Sequence, residues 1–76
     1  MEKKFNKYLF ATKVTETMFS KMAERKEKRS VRNFGKEIGI SGATFSRLTH
    51  GKEPDVNTFL KVCDWMQMES SKFYTI

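Results

Sequence analysis

The stretch from residue 31 to residue 51 limits what this chain can fold into more than any other part of it. Phe34 and Ile38 stand four apart and so share one face of a helix. Gly39 follows directly, where a helix ends most easily on a residue of positive φ. Ser41 can cap a second helix by accepting an N–H of its opening turn, and Phe45 and Leu48 give that helix its buried stripe. Ser30 can cap the first helix and Gly51 can end the second. Gly35 is small enough for another backbone to come close. The spacing predicts two helices of about eight residues around a glycine-bearing turn, a helix-turn-helix unit.

Composition sets the outer limits. Seventy-six residues allow one domain with a small core. No run of about eighteen apolar residues is present, so no membrane span is expected, and the first ten residues lack the long apolar run and cleavage site of a signal peptide. One Cys cannot form an internal disulfide, and one Cys with one His cannot build a zinc site; both fit a reducing cytoplasm. The net charge is +6 and the pI about 9.7, in the range of nucleic-acid partners. Residues 1–33 hold ten Lys and Arg against four Glu, while residues 34–76 hold five of each sign. The excess therefore lies before the glycine-bearing stretch and at its start, around Arg25, Lys26, Lys28, Arg29 and Arg32, where phosphate contact competes with a plain solvated face.

The stretch resembles the helix-turn-helix of the Cro/CI phage-repressor family, also called lambda-repressor-like or XRE. Counting from Val31, the small fifth position is Gly35, the ninth-position glycine is Gly39, and the apolar tenth, fifteenth and eighteenth positions are Ile40, Phe45 and Leu48. Gly51, Lys52 and Pro54, followed by Val56, Phe59, Leu60, Cys63 and Met66, are similar to the family's loop and next helix. The resemblance covers roughly residues 30–74. It departs from the pattern at two places: Val31 stands where a phosphate-contacting Gln is usual. Thr49 stands where a Glu usually holds an Arg of the first helix, and the residue aligned with that Arg is Glu24.

Along the rest of the chain, residues 1–11 form a basic arm with Phe5, Tyr8, Leu9 and Phe10. Phe5, Tyr8 and Leu9 fit a helical face and Tyr8 to Phe10 fit a short strand equally well. These side chains either pack on the body of the domain or meet a second subunit. A helix is expected from Thr12 or Thr15 to about residue 27, with Val14, Met18, Met22 and Ala23 on one face and Phe19 widening it. Asp55 is the expected N-cap of a helix over residues 56–66, whose core stripe is Val56, Phe59, Leu60, Cys63 and Met66. Cys63 on that stripe reads as a buried inert thiol. Trp65 either covers the core edge or anchors an interface. Ser70 or Ser71 can cap a last short helix with Phe73 and Tyr74.

The expected architecture is an all-α, five-helix, lambda-repressor-like domain over residues 12–76, its motif at 31–51, behind the arm. The resemblance implies a cytoplasmic, sequence-specific regulator of the repressor type that binds double-stranded operator DNA as a homodimer. Its second helix would enter the major groove. Candidate base contacts are Ser41, Gly42, Ala43, Thr44, Ser46 and Arg47, with Arg47 the main hydrogen-bonding reader and phosphate contact its alternative role. Candidate phosphate contacts are Arg29, Arg32, His50, Lys52 and Asn57. Trp65 and Phe73 are the candidate dimer contacts. No catalytic residue, metal or cofactor is expected, because no nucleophile–base pair, acid pair or phosphate-cradling loop has the neighbours it needs. The alternative is a protein-interaction module of antitoxin or anti-repressor type that keeps the fold but binds little DNA, with another protein as its partner.

Overall fold

A computed structural model describes residues 2–26 and 31–76. The chain is mostly helical, with a strand β1 (Lys4–Phe5), helices α1 (Lys7–Arg25), α2 (Val31–Ile38), α3 (Gly42–Thr49) and α4 (Val56–Met66), a 3-10 turn (Ser70–Phe73) and a strand β2 (Tyr74–Thr75). It is not wholly α. The two strands pair antiparallel, Lys4 opposite Thr75 and Phe5 opposite Tyr74. The Asn6 N–H extends the seam by donating to the Phe73 carbonyl at 2.7 Å. The expected fifth helix is a single 3-10 turn, because Tyr74 is drawn into this pairing. No helix among the described residues is long and apolar enough to cross a membrane.

The first helix starts at Lys7, earlier than Thr12 or Thr15. Asn6 is its cap: the Oδ1 accepts the Leu9 N–H at 3.0 Å, a contribution of about 1 kcal/mol. Residues 7–11 thus belong to the helix and not to an arm, and Phe10 and Ala11 lead its buried face ahead of Val14 and Met18. Phe19 and Ala23, expected on that face, are exposed. The helix ends on Lys26, in the left-handed region at φ +54, with its N–H on the Met22 carbonyl.

Two glycines make the α2–α3 corner possible. Gly39 has φ +97, a conformation in which a Cβ would be strained. At Gly35 a Cβ would lie 2.8 Å from the Ile40 carbonyl oxygen and 3.2 Å from the Gly42 nitrogen, so the two helices can close only over a bare Cα. The Gly39 and Ile40 N–H groups both donate to the Gly35 carbonyl at 2.8 Å, which fixes the turn. Ser41 Oγ accepts the Thr44 N–H at 3.1 Å and opens α3 as expected. The Ser30 cap lies outside the described residues.

Asp55 caps α4 as expected, its Oδ1 accepting the Thr58 N–H at 2.7 Å. The buried stripe of α4 is Phe59, Val62, Cys63 and Met66. Val56 (72% exposed) and Leu60 (51%) are not in the core. At 100° per residue they lie roughly 70° and 110° round the helix from the centre of that stripe. Two aromatic groups fill the interior. Phe10, Phe59 and Phe73 meet edge to face or tilted, with Phe5 against Phe10 and Phe59. Phe34, Phe45 and Trp65 form the other group, under the α2–α3 corner.

Candidate nucleic-acid interface

The geometry of α3 follows from its two buried residues. Phe45 and Leu48 face the core, so Ala43 and Arg47, four apart, share the outward face. Ser41 and Thr44 are joined at the helix start. Besides its capping bond, the Ser41 hydroxyl donates to Thr44 Oγ1 at 2.8 Å, which leaves the Thr44 hydroxyl hydrogen as the donor of the pair. Ser46 is half-buried, and its carbonyl accepts both the Thr49 hydroxyl (2.6 Å) and His50 Nδ1 (2.7 Å). Gly42, a candidate base contact, is half-buried. Its missing Cβ would sit 3.3 Å from the Arg32 Cα, so its smallness lets α2 pack against α3. Arg47 is exposed, and its guanidinium has no hydrogen-bond or ion-pair partner among the described residues. It borders a shallow groove with Thr44, Lys52, Asp55 and Thr58. The Thr58 hydrogen bonds hold the Asp55 carboxyl below its usual range, and with Glu53 the groove sets two acids beside its two cations.

Among the phosphate candidates, Arg32, Lys52 and Asn57 are exposed on α2, on the loop after α3 and on the first turn of α4. Lys52 is tied to α3 through its N–H, which donates to the Arg47 carbonyl at 3.1 Å. Arg29 lies outside the described residues. His50 is constrained by chemistry: a carbonyl can only accept, so Nδ1 must carry the hydrogen that bonds Ser46. The remaining nitrogen, Nε2, accepts in the neutral ring and donates to a phosphate only in the imidazolium.

No comparison with protein-family models, curated proteins or solved structures returns a match.

Glu24 and Thr49, the pair at which the sequence departs from the family pattern, do not meet. Thr49 donates to Ser46 and lies beside Thr12 and Thr15, about three turns from Glu24 along α1. Arg25 and Glu37, which the sequence did not single out, fasten α1 to α2 instead. Arg25 donates to both Glu37 oxygens at 2.7 Å, and its guanidinium lies over the Phe34 ring. Trp65 Nε1 donates to the same carboxylate at 3.3 Å, bringing in α4. The Arg25 hydrogen bonds, against the opposing effect of burial, hold the Glu37 carboxyl below its usual range. Arg25 is therefore paired across α1 and α2, and its charge is compensated within the fold.

Of the two dimer candidates, Phe73 is corrected. Phe73 is 0% exposed between Phe10 and Phe59, so it offers no surface to a second copy. The Trp65 ring is half-buried, edge-on to Phe34 and Phe45 with Lys21 Nζ 5.4 Å from its centroid, a core-edge position. Burial pushes the Cys63 thiol up to about 11, with Asp64 adding to it, and so suppresses the reactive thiolate.

Proposed function

We propose that the chain is a sequence-specific regulator that binds double-stranded DNA through a helix-turn-helix formed by α2 and α3. On this reading it is a cytoplasmic repressor of the Cro/CI, lambda-repressor-like kind, acting as a homodimer. The observation that carries the reading is Arg47: a long, exposed, unpartnered donor on the outward face of a helix whose other face is locked by Phe45 and Leu48. An α-helix fits the major groove, and an Arg there pairs with guanine through two hydrogen bonds. Ala43, one turn before it, can touch a thymine methyl. Thr44 supplies a hydroxyl at the rim, and Arg32 and Lys52 flank the helix as phosphate contacts.

The test compares base preference, position by position, for wild type and Arg47→Ala. Loss of roughly 1–3 kcal/mol on the preferred site, with preference relaxed at one base pair per half-site, is expected. A uniform weakening with an unchanged profile would assign Arg47 to a phosphate and leave specificity to DNA shape. If a dimer neutralises about eight phosphates, log K against log salt should slope near −7. Binding that ignores salt sinks the reading. The second reading, a protein-interaction module, draws on the exposed apolar side chains of α4 and the chain end. It predicts no salt-dependent duplex binding at all.

A further inference from the structure

Among the described residues six large apolar side chains remain exposed, and all but Phe19 gather on one side. Val56, Tyr74, Ile76 and Tyr8 are 72%, 42%, 77% and 71% exposed, and Leu60, one turn on from Val56, is 51% exposed. Val56 and Tyr74 border one groove with Phe5 and Pro54, and Tyr8 and Ile76 border the adjoining one. Phe5 and Glu53 line both, so the two grooves form one continuous face. The Phe5 and Tyr74 rings, 5.6 Å apart, make its floor.

We propose that this face, centred on Val56, Leu60, Tyr74 and Ile76, is where a second copy of the chain docks. The reading as a two-fold DNA binder supplies the expectation of a dimer; the face itself is argued from its size, charge and position. Weighted by their exposures, the five side chains present roughly 550 Å², taking about 150–200 Å² for a fully exposed side chain of this size. Two copies meeting face to face would bury roughly 1,100 Å², the scale at which specific interfaces begin. In such a two-fold contact each patch meets its own copy, so a rim must complement itself. Lys4, Lys7 and Glu53 line the same groove, which lets a lysine of each copy meet the other copy's Glu53. None of the five side chains belongs to α3, and the face meets the groove beside Arg47 along Glu53 and Pro54.

The experiment is sedimentation of the full chain without DNA between about 1 and 100 µM. Wild type should be a dimer. Val56→Glu and Leu60→Glu, made separately at exposed positions, should each weaken dimerisation roughly 10- to 100-fold with unchanged helical circular dichroism. Phe19→Glu, exposed on α1, should leave the dimer intact. A wild type that stays monomeric overturns the inference. A dimer that ignores both substitutions in folded variants overturns it too, as does a dimer broken by Phe19→Glu alone. Duplex binding is read separately. A dimer that binds no DNA defeats the proposed function and leaves this interface standing; a DNA-binding monomer does the reverse.

Discussion

Gly35→Ala tests the α2–α3 corner with the smallest possible change. The new methyl carbon would lie 2.8 Å from the Ile40 oxygen, 3.1 Å from the Ser41 carbonyl carbon and 3.2 Å from the Gly42 nitrogen. All three are backbone atoms, so no rotamer change relieves the contact. Even a close carbon–oxygen approach in proteins is about 3.3 Å, so the turn must open by about half an ångström. Overpacking of this kind costs about 1–3 kcal/mol, and rigid neighbours place it at the upper end. Alanine returns about 0.5–1 kcal/mol in helix propensity, leaving a net loss of about 1–2 kcal/mol. In a domain of this size that lowers Tm by roughly 5–15 °C. Gly39→Ala meets nothing within 4 Å and should lose only the cost of its positive φ, about 1–2 kcal/mol. Gly35→Val separates the two causes, because a larger side chain worsens the clash without restoring propensity, and about 3 kcal/mol or more should be lost. Urea unfolding followed by circular dichroism and by the single Trp, Trp65, reads all three variants. A Gly35→Ala protein as stable as wild type, or more so, would refute the close approach.

Glu37→Gln should cost about 0.5–1 kcal/mol at neutral pH, discounted because both partners are about one-third exposed. The folded-state carboxyl is held low, so its contribution is present above the usual carboxylate range and lost as pH falls through the folded-state value. The stability gap between wild type and variant, taken from urea midpoints, should therefore hold near neutral pH and narrow as pH falls below about 4.5, and a constant gap would contradict the pairing. Cys63, pushed up to about 11, should resist a disulfide reagent at pH 8 in the native protein and react promptly in denaturant. Prompt native labelling would place the thiol outside the core. Phe73→Ala should lose about 3–5 kcal/mol by calorimetry or urea unfolding, as a core ring does; a loss under about 1 kcal/mol would return Phe73 to the surface.

What the sequence disclosed of the fold was what is decided within a few residues. Gly39 ends α2, Ser41 and Asp55 cap α3 and α4, and Phe45 and Leu48 turn inward, each through an interaction spanning one helical turn. The misplaced features depend on distant partners. Tyr8 to Phe10 fit a strand or a helix, and what holds them in α1 is Phe10 seated on Phe59 and Phe73 from the other end of the chain. On α4, Val56 and Leu60 continue the periodicity of Phe59 and Cys63 as well as Val62 and Met66 do. Which set is buried is decided by what α1 and the chain end place opposite. Strand pairing between Phe5 and Tyr74 has no local signal at all, since two-residue strands carry no pattern.

The same distinction governs the candidate site, and it changes how the charge should be counted. The outward positions of α3 were legible because Phe45 and Leu48 fix the rest of that helix. The purpose of Gly42 was not, because it depends on Arg32 of a different helix lying against it. Counted along the chain, the basic excess gathers around Arg25 to Arg32. In the fold, Arg25 is bound by Glu37 and Lys13 by Glu16, pairs set by how side chains meet rather than by composition. A cation already paired releases no counterion when a phosphate arrives, because its charge is compensated before binding. If the chain binds DNA, its salt dependence should therefore follow Arg32 and Lys52, with Arg47 turned to a base. Lys52→Ala should flatten the slope, and Arg25→Ala should lower stability while leaving the slope unchanged.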